Sequence, residues 1–334
     1  MSKLIIKKYE NTDLINWDKF IQESINGGIF HEQKFISYHQ NKFNDSSFLF
    51  FKNDELIALF PAAIITKNDK LVLKSHPGTS YGGFVLNKEL PLKLIFSLIK
   101  LIEEYCLKNS ISTIEFRHSP NIFRKESLDQ LDFALSYNNY QRIDEELSTC
   151  FSLSKYKDLS INEMIQLFDN SSRSKAKKNI NKAIKLGLSF RKLNKNEISL
   201  FYEILETNLV KHNAKPVHSL KEIESLVDLY PDRVSLFGVF LDEKLIAGYL
   251  IFNVNQIGNH IFYGSLDYNY QDYRSTSYGL FMLMHTFAQE GHKYLNMGIS
   301  TEDGGKIINW QLYDFKESFN GTGTIRYYWQ KHLL

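Results

Sequence analysis

The chain has 334 residues, 43% hydrophobic and 14% aromatic, with 40 basic and 38 acidic side chains and a net charge of +2. This composition excludes a disordered chain, offers no basic excess for a nucleic-acid binder, and gives a length suited to two domains. Two cysteines, Cys106 and Cys150, without metal or CxxC spacing exclude a disulfide framework and a zinc site. They fit a reducing compartment, so the protein is expected in the cytoplasm, with no metal and no membrane span.

The first 155 residues read as one domain. The segment Phe48-Leu49-Phe50-Phe51-Lys52 is a strand. Asn53-Asp54 turn it, and Glu55-Leu56-Ile57-Ala58 start the return strand, which predicts a hairpin. The apolar run over 56–65 is interrupted by Pro61 and is too short to cross a bilayer. Thr79-Ser80-Tyr81-Gly82 reads as a turn. Three-and-four spacing of Leu94, Ile95, Leu98, Ile99, Ile102 and Tyr105 then predicts a helix over 92–107. A strand follows over 112–117.

A mostly helical stretch over 159–186 leads into a second domain, 156–334. Ser160 and Glu163 have capping-box spacing, Gly187 is a helix stop, and a break is expected near Asn170-Ser171-Ser172. Within it, 172–187 is a basic helix without acidic residues, where solvated charge runs normally carry carboxylate partners. Arg173, Lys177 and Lys178 are therefore candidates for binding the phosphates of an acceptor.

The pattern then repeats. Phe237-Gly238-Val239-Phe240-Leu241-Asp242-Glu243-Lys244-Leu245-Ile246-Ala247 matches the first hairpin position by position, and Thr276-Ser277-Tyr278-Gly279 matches Thr79–Gly82. A helix over 280–289 and a strand over 292–297 follow, as in the first half. The two matches are offset by nearly the same distance, so one short insertion reconciles them, and the order of features predicts a duplication.

Four segments carry a resemblance to a known family. These are Ile25-Asn26-Gly27-Gly28-Ile29-Phe30-His31; the basic run from Arg173 to Gly187; Arg274-Ser275-Thr276-Ser277-Tyr278-Gly279-Leu280; and Asn309-Trp310-Gln311-Leu312-Tyr313-Asp314-Phe315-Lys316-Glu317-Ser318-Phe319-Asn320-Gly321. Together they resemble the GNAT acyltransferase superfamily in its tandem, FemAB-like form. The resemblance implies an α/β (α+β) fold of two GNAT-like domains, each a mixed, mostly antiparallel sheet flanked by helices. Its nearest likeness is to N-acyltransferases of surface polysaccharide (O-antigen) biosynthesis. These move acetyl or 3-hydroxybutyryl from acyl-CoA, a co-substrate rather than a tightly bound cofactor, to a dTDP-linked amino-deoxy sugar. The departures are Ser275-Thr276-Ser277-Tyr278 crowding the carrier turn and Asn320 before Gly321. Two alternatives stay open: an aminoacyl-tRNA-dependent peptidoglycan aminoacyltransferase like FemX, and a degenerate, non-catalytic binding module.

Transfer from a thioester to an amine needs a grip on the donor's anionic tail, a proton acceptor, and oxyanion stabilisation. Residues 274–279 (Arg274, Ser275, Thr276, Ser277, Tyr278, Gly279) are expected to hold the donor pyrophosphate at a strand-to-helix turn, with Gly279 allowing close approach and Arg274 adding charge. Glu302, His212, His218 and Asp267 are candidate bases. Lys316 is a candidate for the oxyanion, and Tyr263 and Asn309 are further donors. On the acceptor side the resemblance adds His31 and Tyr81. No GxSxG elbow, Walker loop or dinucleotide fingerprint is present, so direct attack by the amine is expected.

Overall fold

The computed structural model describes residues 3–168, 174–211 and 213–334. The chain divides into two units. Unit 1 comprises the residues up to Leu147 with Glu302–Ile307 and Ile325–Leu334; unit 2 comprises Ser148–Thr301 and Ile308–Thr324. The division therefore lies ahead of the expected boundary at residue 155, and unit 1 recovers two later segments. Strand pairing is the reason. Tyr328–His332 of the strand Thr322–His332 pair with Ile111–Arg117 in unit 1, whereas the end of the strand Gln141–Ser152 pairs with Tyr294–Ile299 in unit 2.

In unit 1, the strands Leu4–Lys8, Phe48–Lys52, Glu55–Phe60 and Val85–Leu86 form an antiparallel sheet in that order. A second set runs from the C-terminal strand through Ile111–Arg117 and Lys70–Ser75 to Ala63–Lys67, with Lys70–Ser75 parallel to Ile111–Arg117. The helix Leu92–Lys108 begins after Pro91, which supplies a preset φ where no N–H is needed. It buries Ile95, Leu98, Ile99, Ile102 and Cys106 against Phe48, Phe50, Phe60 and Phe116.

In unit 2, the strands Ser189–Lys192, Val234–Leu241, Lys244–Asn255 and Gly258–Leu266 are successively antiparallel. Gly258–Leu266 is then parallel to Tyr294–Ile299. The connection between these two parallel strands is the helix Ser275–Gln289, whose Leu280, Phe281, Leu283, Met284 and Phe287 form the centre of the core. The capping box at Ser160 and Glu163 starts a short helix, Ile161–Gln166, and Gly187 adopts φ +77° just past the basic helix Ser174–Lys185. The break expected at 170–172 lies outside the described residues.

The repeated hairpins share an irregularity. Phe50 pairs with Ala58 and Phe51 with Leu56, which leaves Ile57 as an extra residue; Val239 pairs with Ala247 and Phe240 with Leu245, which leaves Ile246 extra. The matched positions of the two sequences are thus matched bulges. The second match does not extend to structure. Thr276–Gly279 lie inside a helix, but Thr79–Gly82 lie in a loop, where Gly82 bridges to His118 and the next helix starts only at Leu92.

Candidate active site

The helix Ser275–Gln289 follows a 3-10 turn, Tyr268–Tyr273, and Arg274 links the two with left-handed φ of 62°. No side chain caps the helix, and the first intrahelical bond is Tyr278 N–H to the Arg274 carbonyl. The N–H groups of Ser275, Thr276 and Ser277 therefore end the helix without an acceptor, the arrangement that receives anions. Arg274 is exposed beside them. The six residues expected to hold the donor divide into two groups. Ser277 accepts from Asn179 Nδ2 at 3.3 Å, and Tyr278 is buried in the core. Gly279 faces the sheet: a Cβ there would lie 2.5 Å from the Tyr249 ring and 2.9 Å from Val239 Cγ2. Its smallness seats the helix on the sheet and does not open an approach for a ligand. What remains for a ligand is backbone N–H, half-buried Thr276 and Arg274.

Further along, the parallel strands pair only at Gly258–Tyr294, Asn259–Leu295 and His260–Asn296. Beyond that point the strands continue without pairing to each other. The place is marked by buried polar groups: Asn296 Oδ1 lies 2.9 Å from His260 Nδ1, and Asn296 Nδ2 donates to Ser148 Oγ at 2.8 Å. Asn296 Oδ1 also accepts from Gly298 N–H at 3.0 Å. Pairing with Gln141–Ser152 shifts register between Asn296 and Ile299, and Gly298 takes φ +69°, so a bulge turns the local carbonyls. Those of Gly298 and Ile299 accept from Lys316 Nζ at 2.9 and 2.8 Å. Lys316 is 1% exposed, and burial lowers its pKa to about 7. It is not a surface lysine. An ammonium has three donors, and two are engaged. Asn309 caps the Trp310–Glu317 helix that carries Lys316 by accepting from Leu312 N–H at 3.1 Å, so it positions the lysine.

The other expected residues separate. His218 Nδ1 lies 3.2 Å from Tyr263 Oη, which also accepts from the Val217 N–H at 2.9 Å; burial raises the tyrosine pKa to about 12. Asp267 caps the 3-10 turn by accepting from Asn269 N–H at 3.0 Å, a structural use of that carboxylate. Glu302 is exposed and groups with unit 1, whereas Lys316, His218, Tyr263 and Asn309 group with unit 2. His212 and Arg173 lie outside the described residues.

On the basic helix, Ala176, Ile180 and Ala183 are buried at helical spacing, which turns Lys175, Lys178, Lys182 and Lys185 to solvent. Lys177 donates to Gln166 Oε1 at 2.8 Å. His31 and Tyr81 are not surface groups. His31 is fully buried between the carbonyls of Gly28 and Gly82, at 3.3 and 3.4 Å, and Tyr81 packs edge-on to Phe30 at 5.5 Å. Burial lowers the His31 pKa to about 4, leaving it neutral. As they stand, both side chains serve the packing of unit 1 and have no surface to offer an acceptor. His260 and Asn296 were not singled out in the sequence. The signal available was Asn296 amid the apolar run Tyr294–Ile299, whereas His260 sits in a strand that also carries Asn259 and Ser265.

These units, each with a helix that joins two parallel strands amid mostly antiparallel pairing, define a tandem GNAT-like fold of the α+β class. Among solved structures, FemX is similar over 98% of this chain and 97% of its own at 10% identity, with a TM-score of 0.71. L-PGS from Bacillus licheniformis is similar at 11% identity over 97% and 92% of the two chains, with a TM-score of 0.60. A tandem GNAT protein from the clavulanic acid biosynthesis pathway is similar at 6% identity over 99% of each chain, with a TM-score of 0.55. No family model matches the sequence, and neither does any curated protein. Among the described residues, no helix is long and apolar enough to cross a membrane, and no cluster of side chains is arranged to hold a metal ion.

Proposed function

We propose that the protein is an N-acyltransferase that moves an acyl group from acyl-CoA to the amine of a nucleotide-linked amino-deoxy sugar, by direct attack of the amine on the thioester. The observation that carries this reading is in unit 2. A parallel strand pair separates beyond His260 and Asn296, the chain then enters an uncapped helix at Arg274, and Lys316 is held on the carbonyls at the end of the second strand. In this reading the helix N–H groups and Arg274 hold the donor's pyrophosphate. The remaining Lys316 donor meets the oxyanion as the tetrahedral intermediate forms. His218, oriented against Tyr263, takes a proton from the acceptor's ammonium and so frees the amine that attacks, and the sulfur leaves as the thiol of coenzyme A. The unpaired lysines of the basic helix attract the anionic acceptor.

The test is a panel of acyl-CoA donors and dTDP-amino sugars with the full chain, reading free thiol release and the acceptor's mass. Acceptor-dependent thiol release with an acyl mass gain is expected; no release across the panel sinks the proposal. A second reading, aminoacyl transfer from a charged tRNA, is favoured by the extent of the FemX match and the unpaired lysines. It requires transfer that is abolished by ribonuclease.

A further inference from the structure

Unit 1 contains a cleft of about 840 Å³ that the transfer chemistry does not use. That volume accommodates a ligand of sugar size or larger. Its lining carries three carboxylates, Glu10, Asp18 and Asp45, against one cation, Lys34. Tyr9, also in the lining, has its hydroxyl pKa raised to about 12, by burial first and then by the charges of Asp45, Asp18 and Asp13. Such a cleft repels phosphate and draws ammonium. Tyr9 and Phe43 add aromatic faces, and Phe43 stands edge-on to His76 with ring centroids 5.8 Å apart.

Two lining side chains have unmet hydrogen bonds. His76 is 3% exposed; its Nδ1 is committed to the Pro77 carbonyl at 2.6 Å, so Nε2 is left as an acceptor, and that atom has no partner. Gln33 is 5% exposed. Its amide lies close enough to Asp45 to act on that carboxylate, yet Nε2 makes no hydrogen bond of acceptable geometry. One unmet acceptor and one unmet donor match a hydroxyl group, which both gives and receives. Both residues line the cleft, so a hydroxyl bound there can give to the imidazole or receive from the amide.

We infer that this cleft binds a sugar carrying a free amine, with the ammonium facing the carboxylates and hydroxyls completing His76 and Gln33. Binding there needs no acyl donor, so it is testable whether or not unit 2 transfers acyl groups. The experiment is calorimetric titration of the full-length protein at mildly acidic pH with D-glucosamine, D-glucose and N-acetyl-D-glucosamine. Glucosamine is expected to bind at least about tenfold more tightly than either neutral sugar, because only it brings a charge to the carboxylates. Glu10→Gln and Asp18→Asn should each weaken glucosamine several-fold. Glu10 is the safer variant for folding, since its side chain is 70% exposed. Equal affinity for the three sugars, no binding of glucosamine, or unchanged affinity in a folded Glu10→Gln variant would overturn the inference.

Discussion

Lys316 donates to the Ile299 carbonyl at 2.8 Å, and this bond fixes a buried ammonium at the end of a strand. A cation held by two carbonyls and no carboxylate is stabilised by dipoles alone, which is why burial dominates and its pKa falls to about 7. Lys316→Met keeps the length of the side chain and removes the charge. Acyl transfer is expected to fall by about 100-fold or more in kcat, as for loss of an oxyanion donor, with the circular dichroism spectrum retained.

The same shift has a consequence for stability. The unfolded lysine holds its proton up to 10.5, whereas the folded one releases it from about 7. The unfolded state therefore binds more protons across that window, and folding becomes more favourable as pH rises from about 7 to 10.5. The stability difference between wild type and Lys316→Met should shift toward wild type over this range in urea titrations. A difference that stays flat with pH would show that the lysine is not desolvated.

Gly279→Ala separates a packing role from a ligand role. The added Cβ would lie 2.5 Å from Tyr249 Cε2 and 2.8 Å from its hydroxyl. Overpacking costs about 1–3 kcal/mol, and the better helix propensity of alanine returns up to about 1 kcal/mol. A Tm lowered by about 2–5 °C is expected, with donor affinity per folded molecule unchanged. Weakened binding at unchanged Tm would contradict the packing assignment.

Arg274→Ala should raise the Kd for coenzyme A by about tenfold and reduce its salt dependence, because the side chain is exposed and acts by charge beside free N–H groups. Isothermal titration at two ionic strengths measures both effects. An unchanged Kd would place the donor elsewhere.

Acid should unfold unit 1 through its histidines. His31 and His76 are both held near a pKa of about 4 by burial, against 6.5 when free. Below 6.5 the unfolded chain takes up protons that the folded one refuses, so stability falls between pH 6.5 and about 4, by on the order of 3 kcal/mol for each residue. His31→Gln should flatten the slope of Tm against pH in that interval.

The elements were largely legible from periodicity: the helix expected over 92–107 is Leu92–Lys108, and the capping box at Ser160 and Glu163 is present with both of its bonds. The second helix begins earlier than its apolar spacing indicates, because Ser275-Thr276-Ser277 look like a turn but are wound by the bend at Arg274. Burial was the harder property to read. Lys316 resembles any solvated lysine between two phenylalanines, and His31 resembles any surface histidine, until the strands around them are placed. The match of Tyr81-Gly82 with Tyr278-Gly279 was misleading for a related reason: identical residues served a loop in one half and a helix in the other. The role of Asn296 needed the partner strand, since its bonds reach His260 and Ser148.

The paired irregularities at Ile57 and Ile246 have a practical consequence. An inserted residue within a strand cannot drift by one place without turning every later side chain to the opposite face. Each therefore sets which face the residues of the return strand occupy. Superposing the hairpin of one half on that of the other by matching Ile57 to Ile246 first sets the face of every later side chain, even where the two halves differ in residue.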